Sequence, residues 1–358
     1  MKKKLLIFSL ILFTNSDIFS QVTDVVTNLS SPRGLVINNG KLYISESGTN
    51  KVLEFDLNTE NTIDFVTSLV IPIGLLQRGD DLLIAENNGF KISIKDLTLA
   101  SSTATDLVTF QTPPFVEPWG IELSQDHNTL YISEVGGRVY KADLTQTNPT
   151  PELIWQNTNG TTIDLALNGN DLYISESENQ TGQLGRILKI DVTEMNPTPI
   201  EVVSNLYFPL GLEIIGTELF FTNWNDQFNG TDTLNKIDLN ATNPQVTTIL
   251  NSLNFPTYLT YSNGELFISQ DDRVSKIPEA QLGIDEQNAR LEFKIHPNPT
   301  TDFIFLSNWN FNGEYEIYDI LGNSLSKENL TERIDVSNLS SGIYFLKIEQ
   351  TIKRFLKK

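Results

Sequence analysis

The chain has 358 residues, 39% hydrophobic and 9% aromatic, which is ample for a packed core in two or three domains and excludes a disordered chain. A formal net charge of −20 makes a phosphate backbone a poor partner, so nucleic acid is set aside in favour of cations, glycans or peptides; the acidity also serves simply to keep the chain in solution. With no cysteine, neither a disulfide framework nor a lipid on an N-terminal Cys is available, and the fold must be held by burial alone.

Residues 1–20 read as an export signal. Lys2, Lys3 and Lys4 precede an apolar run from Leu5 to Phe13, and a polar stretch closes at Ser20, placing cleavage before Gln21. The run falls far short of the ~20 residues a helix needs to cross a bilayer, and no comparable run follows, so no transmembrane segment is expected in the mature protein.

From Gln21 onward the chain repeats itself. LYISE at Leu42 returns as LLIAE at Leu82, LYISE at Leu130 and Leu172, LFFTN at Leu219 and LFISQ at Leu266, a period in the range of propeller blades. Ahead of each copy stands a strand start: SPRGLVI, IPIGLLQ, EPWGIEL, TTIDLAL, FPLGLEI and FPTYLTY. Proline opens five of the six, where a missing N–H costs nothing, and in four of these a glycine two residues on implies close backbone approach. Two further alternating segments follow most copies, so each repeat is a four-stranded antiparallel meander with two apolar faces. Six such sheets bury those faces by closing around an axis. The fold class expected is all-β: a six-bladed β-propeller over 21–280. The sixth repeat ends after its third strand at Ile277, and QVTDVVTNL at Gln21 has no blade of its own, so this N-terminal strand is expected to complete the last blade.

The order P-x-G, then LYIS-E, then a Gly or Asn turn resembles NHL-repeat propellers and, more loosely, the gluconolactonase family. After a polar linker at 281–291 the grammar changes. FKIHPNPTTDFIFLS, YEIYDILGNSL, IDVSNLSSGIYFLKI and a basic end at Lys357-Lys358 resemble the type A sorting domain of the type IX secretion system of Bacteroidota, here over 292–358. The turns within it describe a small antiparallel sandwich. The resemblance implies the type IX machinery as a partner and a route through periplasm and outer membrane to the cell surface or medium.

In a closed ring the ends of the LYIS segments and the starts of the P-x-G strands share one face. Glu46, Glu86, Glu134, Glu176 and Asn223, with Gln270, could then form an oxygen-rich ring suited to Ca²⁺. The other reading is that each glutamate accepts backbone N–H bonds in its own turn. Asp164 stands where four other repeats have glycine and is expected at the channel. Arg33, Trp119, Trp224 and Phe228 join it on a binding face suited to a glycan, peptide or protein. Enzymatic readings lack parts: His127 sits in a turn expected on the opposite face, His296 lies in the sorting domain, and the Asn or Asp that gluconolactonases carry between Pro and Gly is Arg33, Ile73, Trp119 or Leu210 here. The reading is therefore an exported, non-catalytic binding module; the alternative is a Ca²⁺-dependent lactonase or lyase with an acidic site at the channel mouth.

Overall fold

A computed structural model describes residues 22–99, 103–110, 116–157, 160–177, 184–224, 232–283, 294–307, 314–320, 322–330, 333–348 and 351–358. The segment expected to be an export signal, most of the expected linker and Phe228 lie outside the described residues. Blade 1 consists of Pro32–Asn38, Lys41–Glu46, Lys51–Asp56 and Thr62–Val66, counted from the axis outward, and four more sheets of the same order have inner strands that start at Pro72, Pro118, Thr161 and Pro209. The sixth has Leu259–Ser262, Glu265–Ser269 and Arg273–Pro278, and its outer strand is Thr23–Thr27. Thr23 lies opposite Lys276 and Thr27 opposite Arg273, so the chain's beginning closes its last blade. Asp24 fastens the closure, accepting from Ser275 Oγ at 2.8 Å and pairing with Arg273 Nη1 at 2.8 Å. Each inner strand touches the inner strand of the next blade, and that of blade 6 touches that of blade 1.

The LYIS strands are buried on both faces because alternate residues enter different cores. Tyr43, Val52 and Val66 pack forward against Leu75, Leu82 and Ile84 of blade 2, while Leu42 and Ile44 pack backward with Phe267 and Val274 of blade 6. No blade owns a core. The packing runs past the expected domain end: Leu282 is fully buried in the blade 5/6 core, and Lys236 Nζ donates to Gly283 O at 2.6 Å.

P-x-G is a bulge. In blades 1 to 5 the pairing of the first two strands slips between the proline position and the residue three further on, as between Pro32 and Leu35 or Pro209 and Leu212. At that slip the neighbouring blade comes within contact of the main chain: a Cβ on Gly211 would lie 2.2 Å from Thr257 O, and one on Gly74 2.5 Å from Trp119 O. The serine of LYIS ties the same junction. Ser45 Oγ donates to Ile73 O, Ser133 Oγ to Ile163 O and Ser175 Oγ to Leu210 O, each at 2.6 Å, and Thr222 Oγ1 donates to Thr257 O at 2.7 Å. Ser175 also accepts from Asp164 N at 2.9 Å. Ser175→Ala therefore strands a buried N–H and a buried carbonyl at once, and a loss of about 3 kcal/mol is expected in urea denaturation. An unchanged midpoint would show that the hydroxyl is not what joins blades 4 and 5.

The C-terminal region folds as two small sheets, one of Lys294–His296, Phe303–Ser307 and Arg333–Asp335, the other of Glu314–Tyr318, Ser324–Asn329, Gly342–Ile348 and Thr351–Lys357. Ile304, Ile317, Ile334, Leu346 and Phe355 fill the space between them. Among the described residues no helix is long and apolar enough to cross a membrane.

Candidate functional site

The glutamates that end the LYIS strands do not form a metal ring. Each sits opposite a basic residue in the first two positions of the third strand: Glu46 opposite Lys51, Glu86 opposite Lys91, Glu134 opposite Arg138 and Glu176 opposite Arg186. All four pairs are in contact. The remaining oxygens serve the local chain. Glu46 Oε1 accepts from Ser30 N and Glu86 Oε2 from Val70 N, both at 2.7 Å, and Gln270 Oε1 accepts from Asn254 N at 2.9 Å, in each case sixteen residues back along the chain. Glu134 accepts from Gly136 N at 2.9 Å, and Glu176 takes Asn157 Nδ2. In blade 5 Asn223 replaces the acid and its opposite is Thr233, so anion and cation are exchanged together; its buried Oδ1 has no partner among the described residues. These bonds fit the second of the two readings, in which each glutamate serves its own turn: its charge is already neutralised within its blade rather than turned toward a shared Ca²⁺. Among the described residues no group of three or more His, Cys, Asp or Glu could hold a metal ion.

The end of the ring at which the inner strands begin, where the channel mouth is expected, is built from the residues around the prolines. Arg33 lies over the Phe255 ring with Cζ 5.0 Å from its centroid, Trp224 packs edge-on to Phe255 at 4.7 Å, and Phe208 packs edge-on to Trp224 at 5.3 Å. Arg33 and Trp224 thus meet through Phe255, joining blades 1, 5 and 6. Phe208 and Phe255 precede Pro209 and Pro256 with φ of 32° and 49°, and Ile71 before Pro72 has φ 47°, a region that bulky side chains rarely adopt. Asp232 Oδ2 pins Phe255, accepting its N–H at 2.7 Å. Arg33 Nε is buried and has no acceptor among the described residues; burial holds this guanidinium below its ordinary pKa, partly offset by Tyr258 and Asp271. Trp119 is half-buried in blade 3, with its carbonyl against Gly74.

Below the mouth, the axis holds a cavity of about 230 Å³ lined by all six inner strands. Counting from the proline position, the third residues are Gly34, Gly74, Gly120 and Gly211, but Asp164 in blade 4 and Tyr258 in blade 6. Two residues further along, blades 3 and 5 carry Glu122 and Glu213 where the others have Val36, Leu76, Ala166 and Thr260. Asp164, Tyr258, Glu122 and Glu213 all line the cavity. The inward edge of an inner strand has no neighbouring strand, so its N–H groups need other acceptors. The carboxylates supply them across blade boundaries: Glu122 accepts from Leu167 N, Asp164 from Leu212 N at 2.9 Å, and Glu213 from Tyr261 N. Burial raises Asp164 to about 7 and Glu122 to about 8, the latter also repelled by Asp164. Glu213 is raised well above the usual carboxylate range by burial, then by Glu122 and by Asp164. The hydroxyl of Tyr258, a residue 7% exposed, has no partner among the described residues. Sequence reading found Asp164 but missed Glu122, Glu213 and Tyr258; the available signal was an ionisable or polar side chain on a strand whose neighbours are buried on both faces.

No curated protein matches the sequence. Among solved structures, a Bacteroides thetaiotaomicron protein of unknown function is similar at 11% identity and a TM-score of 0.58, covering 72% of each chain. A Thermus thermophilus protein described as an oxidoreductase (glucose dehydrogenase) is similar at 14% identity and a TM-score of 0.55, over 72% of this chain and 99% of that one. Virginiamycin B lyase from Staphylococcus aureus follows at 14% identity and 0.50, over 72% of this chain and 98% of its own. Likeness at these identities describes the propeller fold and carries no activity with it. Residues 294–358 match the family described as secretion system C-terminal sorting domain. The chain is thus a six-bladed β-propeller that ends in a type IX secretion sorting domain, a protein exported to the cell surface or the medium.

Proposed function

We propose that the propeller is a non-catalytic binding module that takes a peptide segment at the mouth formed by Arg33, Phe255, Trp224 and Phe208. The observation that carries this reading is the buried Arg33 Nε without an acceptor among the described residues, set against an aromatic wall. A guanidinium fork suits a planar carbonyl or carboxylate, and the aromatic faces suit the flanking side chains. Backbone strain at Phe208 and Phe255 supports it, since such strain is retained where it places side chains for use. Residues 1–20 would take the chain to the periplasm, and the sorting domain would take it outward. The test is selection from a displayed library of linear peptides. The wild-type propeller is expected to enrich binders, and Arg33→Met and Trp224→Ala to weaken the same peptides by about tenfold or more, the cost of losing a charge-assisted bond or an aromatic anchor. A library without binders, or peptides held equally well by both variants, would overturn the reading.

A further inference from the structure

The axial cavity carries more polarity than closure of the ring requires. Four inner strands pass the axis with glycine at the third position and four carry small or apolar residues two positions below. Against that background Glu122, Asp164 and Glu213 come from three consecutive blades and converge on one space of about 230 Å³. Each accepts from a backbone N–H of the next blade; Glu122 also accepts from Leu123 N at 2.8 Å and Asp164 from Leu165 N, and a carboxylate with about four lone-pair sites keeps acceptor capacity beyond two such bonds. Independently of the acids, Tyr258 lines the same cavity, is more than nine-tenths buried, and its hydroxyl has no hydrogen-bond partner among the described residues. A buried hydroxyl without a partner costs about 1–3 kcal/mol. A donor entering from the mouth would satisfy it and the carboxylates together.

We propose that the cavity is a binding site for an alkylammonium group, and that in the peptide bound at the mouth this group is a lysine side chain reaching down the axis toward Glu122, Asp164 and Glu213. The second half rests on the peptide reading of the mouth; the first does not. An ammonium has three donors and no acceptor, which matches a cavity whose ionisable lining is carboxylate and phenol. Leu35, Leu212 and Leu259 along the lining suit the apolar length of a methylene stem. The net charge of −20 favours arrival of a cation.

Around the cavity, blade 1 contributes apolar side chains, blade 2 contributes Gln77 and no charge, blades 3 to 5 contribute the three acids, and blade 6 contributes Tyr258 and Thr260; the nearest cation along the chain is Arg33, which interacts with Tyr258. Without a cation the acids hold their protons into the neutral range because burial and mutual repulsion oppose their ionisation. Binding a cation reverses that balance and releases protons, so affinity should rise as pH goes from 6 to 8, while the amine stays protonated throughout.

The experiment uses the mature chain, the double variant Glu122→Gln/Glu213→Gln, and Arg33→Met. The probes are 1,5-diaminopentane and the capped pair acetyl-Phe-Lys-Phe-amide and acetyl-Phe-norleucine-Phe-amide, with binding read by calorimetry and by thermal shift. At pH 8 the lysine peptide is expected to bind about tenfold tighter than its norleucine twin, and the double variant to lose that preference. Arg33→Met should weaken both peptides and leave the diamine unaffected. Diamine binding without peptide binding would keep the cation site and remove the peptide reading of the mouth. Peptide binding with equal affinity for lysine and norleucine would keep the mouth and overturn the channel site. So would a diamine that shifts neither protein, or that binds the double variant as well as the wild type.

Discussion

A propeller that starts at Leu29, without residues 22–28, is expected to lose at least half of its stability to urea and to associate in solution. The removed segment is the outer strand of blade 6, and its loss deletes more than one strand's worth of contacts. Val22 packs on the core shared by blades 5 and 6, and Val25 and Val26 pack on the core shared by blades 6 and 1, so their removal loosens both sides of the sixth blade. Burial of these three partly buried valines is worth at most about 4.5 kcal/mol at roughly 1.5 kcal/mol each, to which the strand ladder and the Asp24–Arg273 contact add. A domain of this kind holds about 5–15 kcal/mol in all. The exposed edge of Arg273–Pro278 then offers unpaired backbone groups to another molecule, hence the association. Adding a synthetic peptide of residues 21–29 should restore the urea midpoint and suppress light scattering, because strand addition replaces the lost pairing. If the shortened chain unfolds at the same urea concentration as the full one, ring closure by the N-terminus is not what stabilises the sixth blade.

That strand was legible because counting elements leaves a remainder: a three-stranded last repeat and an unassigned first strand can satisfy each other only in a closed ring. The P-x-G segments were legible for a similar reason, since proline at a strand start and glycine soon after have few structural uses besides a bulge with close approach. The interior of the channel was not legible. Glu122 and Glu213 sit in EPWGIEL and FPLGLEI, on strands where both faces are buried, and alternation there gives no clue to which side chains border an axis that exists only after six sheets have closed. The turn glutamates admitted two readings for the opposite reason. Repetition around a symmetric ring suggests convergence, whereas the basic residue four to ten positions later, Lys51, Lys91, Arg138 or Arg186, carries the information that each acid is matched within its own blade. Phe208 and Phe255 were read as strand entrances; only the left-handed turn before proline directs them to the mouth beside Trp224 and Arg33.

Replacing Glu213 by glutamine is expected to stabilise the propeller at pH 8 and to change it little at pH 4.5, the reverse of what removing an ion-paired acid does. Glu213 is held well above its ordinary pKa by burial and by the neighbouring Glu122 and Asp164. In the unfolded chain it ionises near pH 4.5, so between there and its folded value only the unfolded state releases the proton. The acid's contribution is then fully present below the unfolded pKa and is lost as pH rises toward the folded one, at about 1.4 kcal/mol per pH unit per carboxyl. Glu122 and Asp164 act in the same direction up to about 8 and about 7, so the wild-type melting temperature should fall from pH 5 to pH 8. Asp56, Asp96, Asp143 and Asp191, lowered by hydrogen bonds in their turns, act in the opposite direction, but their stabilisation is lost only as pH falls below about 4, so the two windows are separate. His296, lowered by burial, disfavours the folded state below about pH 6.5, but it is common to both proteins and cancels in the comparison. Glutamine keeps the carbonyl that accepts from Tyr261 N and removes only the titration, so the slope of melting temperature against pH should flatten by one carboxyl's share, with Glu213→Gln melting above the wild type at pH 8. Parallel slopes for wild type and Glu213→Gln would mean that the carboxylate is well solvated at the axis, and the repulsion that makes this cavity receptive to a cation would be gone with it.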